Sequence, residues 1–116
     1  MSRRQTESYE TARYVDWLRD HPVLFCGTIG GIHASIPAKV RAKREGYQRG
    51  IPDIMVYERA GEFIGLAIEM KSARGTATDE QREWHERLRR RGWQVHVCRS
   101  AEEAIVATEQ YLAWQQ

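Results

Sequence analysis

Residues 50–71 read GIPDIMVYERAGEFIGLAIEMK, and this stretch decides the fold. Asp53 to Tyr57 is rich in β-branched and aromatic residues, the composition of a strand. Arg59-Ala60-Gly61-Glu62 is a turn, with Gly61 free to take positive φ. Phe63 to Ile68 is the return strand. A hairpin centred on Gly61 sets Asp53 opposite Glu69, with Cβ atoms roughly 4.5–5.5 Å apart on a shared face. Side chains alternate along a strand, so Lys71 joins Glu69 on that face while Met70 points away.

Like charges directly opposite on a sheet repel. Uncompensated, one carboxylate is pushed to a raised pKa. A hard cation removes the conflict, because carboxylate oxygens suit Mg²⁺ or Mn²⁺. The plainer alternative is a surface acid pair neutralised by Lys71 with no metal. A one-residue slip in the turn would also break the pairing.

The 116 residues are expected to form one domain spanning 1–116, long enough for a core without staples. No apolar run approaches membrane-spanning length, and the start lacks a signal-peptide apolar region, so a cytoplasmic location is expected. Cys26 and Cys98 each end an apolar run and read as free buried thiols. His21, His33, His85 and His96 lack zinc-ligand spacing. The net charge of +2 is no nucleic-acid signature by itself, but the charges cluster. Lys39, Arg41, Lys43, Arg44 and Arg49 form one basic stretch, Arg87 and Arg89 to Arg91 another, and Arg3 with Arg4 a third. Each alone reads as a solvated face. Beside a phosphate-chemistry motif they point to DNA or RNA contact.

Around the hairpin, residues 6–20 read as a helix with Tyr14, Trp17 and Leu18 on one face. Glu7 and Glu10 lie back along that face, where they either serve a site or favour the helix N-terminal dipole. Val23 to Cys26 is a short strand. Gly27 to Gly31 is a glycine-rich turn without the lysine of a phosphate loop. Pro37 opens a basic helix that runs to about Glu45 and stops at Gly46. Thr78-Asp79-Glu80-Gln81 is a capping box, which explains Gln81 structurally. Gln81 also shares a face with Trp84 and Leu88 and so points toward the sheet. Gly92 ends that helix. Trp93 to Cys98 is the last strand. Ser100 to Glu103 is a second capping box, opening an amphipathic helix with Ala104, Ile105, Thr108, Tyr111 and Leu112. The order α-β-α-β-β-α-β-α gives an α/β fold, a mixed central sheet flanked by helices. The four tryptophans read mostly as core, with Trp114 the one for an interface or a base.

Gly50-Ile51-Pro52-Asp53, Ile68-Glu69-Met70-Lys71, the downstream Gln81 and the closing Trp93 to Cys98 strand resemble the virus-type replication-repair nuclease (VRR-NUC) family of the PD-(D/E)XK nuclease superfamily. The resemblance runs from about Glu7 to about Leu112. One departure is Ile29, where the family often has asparagine before paired glycines. The resemblance implies a PD-(D/E)XK restriction-endonuclease-like core and a Mg²⁺- or Mn²⁺-dependent deoxyribonuclease. Asp53 and Glu69 would hold the metal with the Met70 carbonyl, and Glu7 would complete the set, Glu10 being the second choice. Lys71 would orient water or stabilise developing charge, and Gln81 would position water or phosphate. Lys39, Arg41, Lys43, Arg44 and Arg49 would grip the DNA backbone. The stand-alone form resembles those of phages and other mobile elements, which implies a structure-selective endonuclease on branched or junction DNA. Two-strand cutting suits a homodimer. Competing expectations are a non-catalytic DNA-binding module on the same fold and a restriction-type enzyme, for whose base-reading elements the chain has little room.

Overall fold

The computed structural model describes residues 2–28 and 35–115. Eight elements follow one another: α1 (Arg3–Arg19), β1 (Phe25–Gly27), α2 (Ile36–Arg44), β2 (Ile54–Val56), β3 (Gly65–Met70), α3 (Asp79–Arg90), β4 (Trp93–Cys98) and α4 (Ala101–Leu112). This is the expected order. The strands lie side by side as β1-β2-β3-β4. The first two pairings are antiparallel, and β4 joins β3 in parallel after α3. The result is the mixed α/β sheet that the sequence implies.

Ile54 faces Ile68 and Val56 faces Leu66 across the hairpin, so Asp53 and Glu69 are next in register. Gly61 takes φ 57°. The turn differs from a plain hairpin in one respect. An isolated Ala60–Phe63 bridge closes it, leaving one more residue on the outgoing arm than on the return arm. That irregularity is absorbed within residues 57–64, and the site register is untouched.

Strand alternation sorts the interior into two layers. Ile54, Val56, Leu66, Ile68, Met70 and Cys98 pack with Tyr14 and Leu18 of α1 and with Ala101, Ala104 and Tyr111 of α4. Met55, Ala67 and Val95 pack with Leu88 of α3, joined by Ile51, Trp84 and Trp93. Glu69 and Lys71 belong by parity to the α3 side, and the buried Met70 side chain goes to the α1/α4 side. Between α1 and α4, the Tyr14 and Thr108 hydroxyls hydrogen-bond at 2.6 Å.

Local chemistry sets the helix ends. α1 begins three residues before the expected start, because Ser2 and Gln5 form a reciprocal capping box. Ser35 caps α2 ahead of Pro37. Ser100 caps α4, but Glu103 turns back to the Arg99 N–H at 2.5 Å instead of closing the second box. Cys98 is buried and free as expected, whereas Cys26 is exposed. Cys26 lies on β1, the sheet edge, where only one side of the strand is covered. The glycine-rich turn is described only at Gly27 and Thr28; Ile29, Gly30 and Gly31 lie outside the described residues. No described helix is long and apolar enough to cross a membrane.

Candidate active site

A cavity of about 230 Å³ opens where the ends of β2 and β3 meet the start of α3. Its wall carries Glu7, Asp53, Glu69, Met70, Lys71 and Gln81, brought from three separate parts of the chain. The hairpin supplies Asp53 and the Glu69–Lys71 segment. Asp53 Oδ2 accepts the Met70 N–H at 2.7 Å, which ties the two strands together at the site. Gly50, at the head of the Gly-Ile-Pro-Asp motif, has φ 100°, and a Cβ there would stand 2.8 Å from the Glu80 backbone. Only glycine lets this segment lie against the first turn of α3.

Gln81 carries both roles read from its position. Its Oε1 accepts the Thr78 N–H at 2.8 Å, completing the capping box. Its Nε2 donates to Glu69 Oε2 at 3.3 Å. The amide thus links the helix start to the acid cluster in a single conformer.

The acids are costly where they lie. Glu69 is 1% exposed. Burial raises the Asp53 pKa to about 8, reinforced by the neighbouring Glu69 charge, and the Met70 N–H and Lys71 only partly offset this. Burial also raises the pKa of Glu69, while its contact with Asp53 and the charge of Lys71 oppose the rise. Burial and their mutual repulsion therefore disfavour ionising both carboxyls together when no cation is present. The Lys71 charge lowers the pKa of both acids, without a direct ion pair to either among the described residues.

Glu7 stands apart from the pair. Its Oε1 accepts the Ser72 N–H at 2.9 Å, just beyond Lys71, and Arg99 holds the Ser72 carbonyl at 2.6 Å. No group of three His, Cys, Asp or Glu side chains stands at metal-holding distance among the described residues. Two carboxylates, Asp53 and Glu69, therefore stand together at the cavity, with Glu7 and Met70 lining the same wall. These are hard oxygen donors that fit Mg²⁺ or Mn²⁺, and Glu69 Oε1 is buried with no hydrogen-bond partner among the described residues. Glu10 faces elsewhere: it accepts the Ala101 N–H at 2.9 Å and pairs with Arg13. Of the two N-terminal acids, Glu7 is the one that lines the cavity.

Of the basic stretch, Arg49 lines the cavity and reaches Glu80 at 3.7 Å. Lys39, Arg41, Lys43 and Arg44 sit on the exposed α2, away from the cavity wall. Sequence reading missed Tyr47 and Thr78 on the wall. Thr78 was legible as a cap, but nothing in local spacing marked Tyr47. His85, behind Glu69, was also missed, although its four-residue step from Gln81 was a usable signal.

The family model of the VRR-NUC domain matches residues 1–102. Among solved structures, one described as a VRR_NUC domain protein is 29% identical, with a TM-score of 0.75, covering 96% of this chain and 91% of that one. Another, described as a VRR_NUC domain, is 21% identical with a TM-score of 0.62, covering 91% and 97%, and bears on the fold alone. No curated protein matches the chain significantly. The family match runs through the hairpin, Gln81 and β4, the same parts whose pairing builds the cavity, and so the chain belongs to the VRR-NUC family, a nuclease-type domain on a restriction-endonuclease-like α/β core.

Proposed function

We propose that the protein is a Mg²⁺- or Mn²⁺-dependent endonuclease that hydrolyses DNA phosphodiester bonds, with branched or junction DNA as its preferred substrate. The observation that carries this reading is the buried Asp53–Glu69 pair, held on adjacent strands at one cavity with Lys71 and Gln81. Two buried carboxyls that resist ionising together are suited to take up a cation. Asp53, Glu69 and the Met70 carbonyl, with Glu7 completing the set, would hold the divalent ion, which would supply a water of lowered pKa and a polarised phosphoryl oxygen.

The chain's own groups do the rest. Asp53 is fixed at the cavity wall by the Met70 N–H. Lys71 places an ammonium where negative charge develops on the phosphate. Gln81, pinned by its own cap, holds Glu69 and presents its amide to water or phosphate. Arg49 at the cavity mouth takes a flanking phosphate, and α2 offers Lys39, Arg41, Lys43 and Arg44 to the backbone further out. A second copy of the chain would supply the two-fold related site that symmetric cutting needs.

The test incubates pure protein with Mg²⁺ or Mn²⁺ and linear, flapped and four-way DNA. Metal-dependent cleavage, strongest on a branched form, is expected. Binding without cleavage in either metal would replace the enzyme by a DNA-binding module on the same fold.

A further inference from the structure

One buried ionisable side chain beside the site has no task in the proposed hydrolysis. His85 is 3% exposed and lies one turn beyond Gln81 on α3. Its Nε2 stands 3.5 Å from Glu69 Oε1. Among the described residues neither atom has a hydrogen-bond partner. Buried polar atoms are nearly always paired, and a small closing movement brings this pair within ordinary N–H···O range. The other oxygen of the same carboxylate, Oε2, already takes the Gln81 amide. Residues four apart on a helix lie one above the other on the same face, so one face of α3 offers two groups to the two oxygens of one carboxylate.

We infer that His85 is a positioning residue whose Nε2–H, together with the Gln81 amide, clamps Glu69 and fixes the plane of its carboxylate toward Asp53. An imidazole has an N–H at Nε2 to donate in its Nε2–H tautomer and in its protonated form. His85 lies behind Glu69 and not on the cavity wall, so it acts through that side chain. The consequence for metal holding rests on the nuclease reading; the clamp itself does not.

Two measurements separate them. In metal-free protein, nitrogen-resolved NMR of His85 should give the Nε2–H tautomer with a slowly exchanging, downfield proton that Glu69→Ala abolishes. An Nδ1–H tautomer, or exchange as fast as free imidazole, overturns the clamp whatever the metal does. Calorimetric Mn²⁺ titration is then compared for wild type, His85→Leu and His85→Gln. Loss of an outer partner typically weakens metal affinity roughly 10- to 100-fold. That loss is expected for His85→Leu, with most of the affinity restored by His85→Gln, which keeps a donor. Unchanged Mn²⁺ affinity in both variants, or equal weakening in both, overturns the positioning role. A protected Nε2–H in a wild type that takes up no Mn²⁺ would instead leave the clamp standing and sink the nuclease reading.

Discussion

Asp53 concentrates the chemistry of this site in one side chain. Its carboxyl is raised to about 8 chiefly by burial, whereas in the unfolded chain it titrates near the ordinary aspartate value. Between those two values the unfolded chain has released a proton that the folded chain keeps. The Asp53 contribution to stability is therefore full below the unfolded pKa and is lost as pH rises toward 8. His85 and His96 are lowered by burial and act in the opposite sense below their unfolded values, so the effect is isolated by difference. Metal-free wild type should lose melting temperature between pH 6.5 and 8 relative to Asp53→Asn, a window set roughly by these pKa values; parallel curves would mean an ionised, compensated Asp53. At the same scale, Asp53→Ala and Lys71→Ala should each abolish Mg²⁺-dependent cleavage while far-UV circular dichroism stays unchanged. Undiminished cleavage by either variant would remove the site.

The start of α3 couples fold to site. Thr78 accepts the Gln81 N–H at 3.1 Å, and the reciprocal bond holds the amide whose other end touches Glu69. Thr78→Ala should cost about 1 kcal/mol in urea denaturation, the usual worth of such a cap. The residue-78 N–H that holds the Gln81 side chain survives in this variant, so Mn²⁺ binding should be little changed. Gly50 braces the same turn from outside. A side chain there meets the Glu80 backbone in a left-handed conformation, so Gly50→Ala should destabilise by about 1–3 kcal/mol and depress cleavage more than an equally destabilising change remote from α3. Equal losses of activity in the two variants would make Gly50 purely structural.

For the whole molecule, the basic groups are spread over separate surfaces: Arg49 at the cavity and Lys39, Arg41, Lys43 and Arg44 on an exposed helix. Phosphate contacts release counterions, so DNA affinity should fall steeply with salt, and Arg49→Ala should reduce the logarithmic salt slope by about 1. A flat salt response would remove these groups from the interface. Cation capture also acts on the whole fold, because an ion that binds only the native state stabilises it by mass action. Mn²⁺ at 100 times its Kd should add about 2.7 kcal/mol to unfolding stability, read as a rise in melting temperature that Asp53→Ala loses.

Much of this was legible in the chain because the information is local. Strand alternation and a turn centred on Gly61 suffice to oppose Asp53 and Glu69 and to send Met70 to the other layer, and the observed ladder keeps that register. Capping chemistry at Thr78 and Gln81 is likewise written within four residues. What spacing alone left open depends on groups that meet only after folding. Glu7 and Glu10 lie on one helix, and their separate fates follow from whether Ser72 or Ala101 offers the nearby N–H. The burial of Cys98 and exposure of Cys26 follow from which strand became the edge of the sheet. The facing of His85 and Glu69 has the same origin, since helix periodicity gives a face but only the packing of α3 on the sheet says which carboxylate that face meets.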